Sequence, residues 1–181
     1  MEKTTQQYTK VINVCREIFT KKTFDYGTSW RILRPSSLTD QIFIKANRIR
    51  TIQDTGVNKV GESYEDAFSS MVNYCVMAII QGRHKFDLYE EELSAAQAAA
   101  WYDDVRNEAF DLMKSKNHDY GEAWRDMRIS SLTDLILAKV LRIKKIEDND
   151  GLTQISEGAE GNYFDMLNYS VFALIHLSKE G

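Results

Sequence analysis

The chain is written twice. Residues 25–54 read DYGTSWRILRPSSLTDQIFIKANRIRTIQD, and residues 119–148 read DYGEAWRDMRISSLTDLILAKVLRIKKIED. The two stretches are offset by 94 residues and agree at more than half of their positions. The match resumes after a loop carrying one inserted residue, where Asn73-Tyr74 faces Asn168-Tyr169. The helical run before Asp25 also matches the run before Asp119. Nearly the whole chain is therefore two copies of a unit of about 85–90 residues, and its fold must be one that can be built twice and closed on itself.

Each copy reads as three helices. The first is expected over about 5–22 and 95–116, with capping-box spacing in Thr4–Gln7 and Ser94–Gln97. Gly27 and Gly121 suit the left-handed residue that follows a helix. The second helix is expected from Ser37 or Ser131 to about 53 or 147, with Asp40 and Asp134 completing a Ser-x-x-Asp cap. The third covers about 62–81 and 157–178, and no alternating β pattern occurs. The expected fold is all-α: repeat one over 1–82, a connector over 83–94, and repeat two over 95–181. The copies pack as a pseudo-two-fold helical bundle in which each covers the other's open face.

Composition narrows the function classes. With 43% hydrophobic residues, 28% charged and a single proline, the 181-residue chain has the profile of a soluble globular protein. No apolar run approaches bilayer length, and the first residues lack a signal-peptide core. A net charge of −4 argues against a nonspecific nucleic-acid binder. Cys15 and Cys75 read as buried free thiols, which makes the cytoplasm the expected compartment. Further self-association into a homo-oligomer stays open.

The polar residues kept in both copies are the candidates for function. Leu38, Ile42, Lys45, Ile49 and Ile52, and likewise Leu132, Ile136, Lys139, Ile143 and Ile146, fall on one helical stripe with a lysine at its centre. Such a lysine must snorkel, find a counter-charge or hold a ligand anion. Arg48 and Arg142 lie three residues on and could add a second cation. The third helices are apolar almost all round, interrupted by Asn73 and Asn168. Near their starts stand Glu62, Glu65 and Asp66, and Glu157, Glu160 and Asp165. Carboxylates along one helix face suit Mg²⁺, though acidic residues also complement a helix N-terminus. Asp165 faces Ser70 in the other copy, so the second copy is the better metal candidate, with Glu157, Glu160 and Asp165 as ligands.

The loop between the first and second helices is the most specific element. It carries Tyr26, Trp30, Arg31 and Arg34 in one copy, and Tyr120, Trp124, Arg125, Arg128, Ser130 and Ser131 in the other. Arginines beside a helix N-terminus make an anion site, and the aromatics either anchor the loop or stack on a base. No Gly-rich phosphate loop, histidine pair or cysteine–histidine couple offers a rival chemistry.

The motif DYGxxWRxxRxSSLTDxIxxKxxRI, followed by an acidic stretch and NYxxxALI, resembles the nucleotide modification associated domain one family in its tandem, bacterial form. The resemblance covers both copies. The family's recurrent polar residues fall on Asp25, Tyr26, Trp30, Arg34, Asp40, Lys45, Arg48 and Asn73, and on their second-copy counterparts from Asp119 to Asn168. A weaker similarity is to the all-α nucleoside triphosphate pyrophosphatases, whose Glu-x-x-Glu and Glu-x-x-Asp pairs hold Mg²⁺. Glu62-x-x-Glu65 and Glu157-x-x-Glu160 partly fit, but Lys45-x-x-Arg48 and Lys139-x-x-Arg142 stand where that family has its first acidic pair.

The expectation is a nucleotide-binding protein in which Lys139, Arg142 and Arg128 hold phosphates, Trp124 or Tyr120 stacks the base and Asn168 orients base or sugar. If it is an enzyme, Mg²⁺-assisted phosphoanhydride hydrolysis is the implied reaction. The rival is a non-enzymatic helical interaction module in which the lysines are structural ion-pair residues. A single-stranded nucleic-acid binder is the third reading.

Overall fold

The computed structural model describes residues 2–89, 91–154 and 157–178. Six α-helices account for the architecture: α1 (Glu2–Tyr26), α2 (Pro35–Thr55), α3 (Tyr64–Arg83), α4 (Ala95–Tyr120), α5 (Ile129–Asp148) and α6 (Ala159–Leu177). There is no strand among the described residues. A one-turn 3-10 helix joins α1 to α2 (Ser29–Ile32) and α4 to α5 (Ala123–Asp126). No described helix is long and apolar enough to cross a membrane.

The two three-helix copies pack about a pseudo-two-fold axis. The apolar helices α3 and α6 lie against each other at the centre, α2 packs on α5, and α1 and α4 flank the pair. The symmetry extends to surface charge. Arg50 of α2 meets Asp134 of α5 at 3.2 Å, and Lys144 of α5 meets Asp40 of α2 at 2.7 Å, the same pair viewed from either copy. Thus Asp40 and Asp134 tie the copies together rather than cap their own helices.

The helix boundaries follow local chemistry. Gly27 and Gly121 adopt φ of 68° and 62°, and each donates its N–H to a carbonyl four residues back. Ser94 caps α4 by accepting the Gln97 N–H at 3.1 Å. The other expected caps move. Helix α1 already includes Glu2, so Thr4 lies inside its first turn. Helices α2 and α5 start before their serines, at Pro35 and Ile129, with the extended backbone of Arg34 or Arg128 as cap and no side-chain hydrogen bond. Proline's fixed φ suits the first helical position, which explains the earlier start of α2.

The stripe on the second helices is also rotated slightly from its expected setting. Ala46 and Val140 occupy the fully buried centre, and Lys45 and Lys139 sit on its margin. Both cysteines are buried and unpaired, and burial pushes the Cys15 thiol up to about 12.

Candidate functional site

The two margin lysines hold carboxylates from different places: Glu62 stands just before α3, and Asp165 lies within α6. Lys45 donates to Glu62 at 2.5 Å. Lys139 donates to Asp165 at 2.7 Å, and Lys116 of α4 reaches the other oxygen of Asp165 at 2.5 Å. Asp165 is buried. Burial pushes its carboxyl up, but the two lysine hydrogen bonds outweigh this and hold it below its ordinary value. It therefore stands ionised as a bridge between α4, α5 and α6.

Its counterpart in repeat one is Ser70, which carries no charge to pair with the lysines. The two clefts differ in what lines them. In repeat one a cleft of about 550 Å³ runs between α1 and α3, lined by Lys22, Lys45, Glu62 and Asp66 on its charged part and by Phe19, Trp30, Tyr74 and Met77 on its apolar part. Tyr26, Ser69, Ser70 and Asn73 complete it. In repeat two the corresponding apolar part is filled. Phe172 replaces Met77 and stacks on Trp124, with ring centroids 4.3 Å apart and planes 4° from parallel. Phe164 replaces Ser69 and is itself buried. The remaining cleft there, of about 700 Å³, stops at Asp165 and opens toward the α5–α6 loop. Lys116, Lys139, Arg142 and Lys145 line it against Glu157 and Asp165.

Several sequence candidates turn out to be structural. Trp30 and Trp124 are 7% and 6% exposed, so neither ring is free to stack on a base. Arg125 is only 4.5 Å from the Trp124 ring centroid, but its guanidinium serves α1: it donates to Glu122, Thr4 and Gln7. Thr4 donates to Glu122 in turn, and this contact, with Arg125, holds the Glu122 carboxyl down at about 2. Arg31, in the matching place, is buried and donates to Gln81 and to the carbonyls of His84 and Lys85. Near the start of α2, where an anion site is expected, an acidic side chain already stands. Glu147 from the other copy accepts from Thr39 there at 3.2 Å, and Thr39 shares a 2.5 Å hydrogen bond with Tyr163. Arg34, Arg128 and Ser131 lie at these helix starts and line neither cleft.

The two asparagines hold the copies together. Tyr8 of α1 donates to Asn168 at 2.7 Å, and Tyr102 of α4 donates to Asn73 at 2.8 Å. Each asparagine then donates to a backbone carbonyl of the first helix in its own copy, Cys15 or Ala109. Asn168 is thus engaged in the core rather than turned to a ligand. The tyrosines were legible in advance, since Tyr8 and Tyr102 occupy matching places in the two copies. So were Gln81 and His176, which occupy one position and both bond the 3-10 turn, Gln81 to Arg31 O and Leu33 O, His176 to Trp124 O.

The expected metal ligands do not converge. Glu160 pairs with Arg83 at 2.7 Å, Asp165 with its two lysines, and Glu157 is exposed. Among the described residues no three acidic, histidine or cysteine side chains gather as a metal site. The donor set does not fit Mg²⁺, and no step is derived through it. Arg48 does not line the cleft; it donates to the Glu62 carbonyl at 2.6 Å and to Asn58 at 3.0 Å, and it lies 3.5 Å from the Glu62 carboxylate. Tyr120 is exposed and lines neither cleft. What repeat one brings together is Tyr26, Trp30, Lys45 and Asn73, and repeat two gathers Lys139 and Arg142.

The family model described as nucleotide modification associated domain 1 matches residues 22–81 and again residues 116–177. The chain belongs to this family. Each match spans one copy from the end of its first helix through its third, so the family unit contains the lysine, the aromatic loop and the asparagine. No curated protein and no solved structure matches the chain. Within the family unit, residue 70 and residue 165 are the same position carrying different side chains, a hydroxyl lining one cleft and a lysine-bound carboxylate lining the other.

Proposed function

We propose that this member of the nucleotide modification associated domain 1 family binds a nucleoside phosphate, and that the working cleft is the one in repeat one. The observation that carries the reading is the unblocked cleft beside Ser70, which joins an apolar, aromatic wall to a pair of lysines in a volume typical of small-molecule sites. The accessible rings of Tyr26 and Tyr74 suit a base, and lysine ammonium groups suit phosphate oxygens. The proposed role is binding.

A second reading, the helical interaction module, has one observation in its favour. Lys45 and Lys139 each already hold a carboxylate, as structural lysines do. The two readings separate in a thermal-shift screen of ribo- and deoxynucleoside mono-, di- and triphosphates, with and without Mg²⁺, and with the parent nucleosides as controls. A ligand bound only by the folded state raises the melting temperature. The binding reading expects a selective rise with a subset of nucleotides, lost in Lys45→Met. A flat response throughout, with Lys45→Met changing stability alone, would leave the module reading standing.

A further inference from the structure

We infer that Lys22, Lys45 and Ser70 form an anion subsite in the repeat-one cleft, whose occupant takes the place that the Asp165 carboxylate fills in repeat two. The inference rests on the nucleoside-phosphate reading and specifies where that ligand's phosphate goes. It comes from treating the second copy as a picture of the first with an anion already bound.

Lys116 and Lys139 in repeat two converge on one anionic group at 2.5 and 2.7 Å. That group is an internal carboxylate, standing in for a ligand anion of similar charge and oxygen geometry. The duplicated helices place Lys22 and Lys45 at the matching positions, and both line the repeat-one cleft together with Ser70. Repeat one thus keeps both cations and lacks a carboxylate at the Asp165 position, while Glu62, held by Lys45, and Asp66 line the same cleft. Lys22 is exposed and makes no ion pair among the described residues. Lys45 spends one of its three N–H donors on Glu62 and retains others for an incoming oxygen. The serine hydroxyl adds a donor that Asp165, in its ionised form, cannot supply. Removing the carboxylate also leaves the apolar part of the cleft continuous with the lysines, so a ligand anchored by its anion there has Tyr74 and Met77 within the same cavity. The chemistry fits one terminal phosphate on an aromatic nucleoside.

The test installs the repeat-two solution in repeat one. Ser70→Asp places a carboxylate where the ligand anion would sit, and Ser70→Asn is its neutral match in size. Lys22→Ala, at an exposed position, removes one cation without disturbing packing. The probes are the four deoxynucleoside monophosphates, the matching nucleosides and inorganic phosphate, titrated by calorimetry at fixed ionic strength. The inference expects Ser70→Asp and Lys22→Ala each to weaken monophosphate binding about tenfold or more, the scale of one charge-assisted hydrogen bond. Ser70→Asn, which replaces the hydroxyl donor with an amide N–H, weakens monophosphate binding clearly less than Ser70→Asp does, and the nucleosides bind no differently to any of them. Inorganic phosphate competing with the monophosphate in wild type and not in Ser70→Asp is a further expected result. Equal monophosphate affinity in Ser70→Asp and Ser70→Asn would overturn the subsite while leaving nucleotide binding intact. Wild-type protein that binds no monophosphate at all would instead overturn the reading on which the subsite rests.

Discussion

Single side chains decide how the copies differ, and Glu147 shows it most simply. It sits at the α2–α5 contact against Thr39 and Tyr163, where the other copy has Gln53 against Thr133. Burial pushes its carboxyl above the ordinary value, and the hydrogen bonds from Thr39 and Tyr163 only partly offset this. A raised acid binds more protons folded than unfolded. Stability is therefore greatest below the unfolded value and falls as pH rises through the folded one. Glu147→Gln, which copies the first repeat, is expected to raise the neutral-pH melting temperature by about 1–3 °C and to flatten its decline above pH 4 to 5. Melting curves across pH check it. Asp165 has the opposite sign. Its depressed carboxyl contributes stability above the unfolded value, and that contribution is lost as pH falls through the folded one. Asp165→Asn should accordingly lower stability at pH 7 and remove part of the acid sensitivity, read in the same curves.

At the scale of elements, the cross-copy hydrogen bonds matter more than the cross-copy charges. Tyr8→Phe leaves the buried Asn168 carbonyl without its donor, and Tyr102→Phe does the same to Asn73. Each should cost about 1–3 kcal/mol in denaturant unfolding. Losing an exposed pair such as Lys144–Asp40 should cost under about 1 kcal/mol, because solvent screens it. The reading of the sequence was strongest at this level. Periodicity and duplication gave six helices, because apolar stripes and left-handed glycines are local signals. The starts of α2 and α5 were misplaced, since Ser-x-x-Asp imitates a cap whose aspartate in fact serves the other copy. The aromatic-arginine loop was read as ligand chemistry for a related reason. A tryptophan packed on Phe172 and an arginine satisfied by Thr4 look, along the chain, like a base stack and a phosphate clamp. The carboxylate at position 165, read along the chain as a metal ligand, is held in the structure by two lysines that no spacing along the chain brings beside it.

For the whole molecule, two copies in one chain allow one to keep an apolar wall in its cleft while the other fills that part with Phe164 and Phe172. The central contact of α3 with α6 is apolar and shared, so neither copy has a complete core alone. The intact chain should unfold in a single calorimetric transition with matching calorimetric and van't Hoff enthalpies; two resolved transitions would show independent repeats. The division of labour is tested most directly by an amide correlation spectrum of the labelled protein titrated with a nucleoside monophosphate. Concerted shifts at Lys22, Tyr26, Ser70 and Tyr74, with the Asp165 region unmoved, are the predicted result. Shifts confined to the repeat-two cleft around Lys139 and Arg142, or no shifts at millimolar ligand, would contradict it.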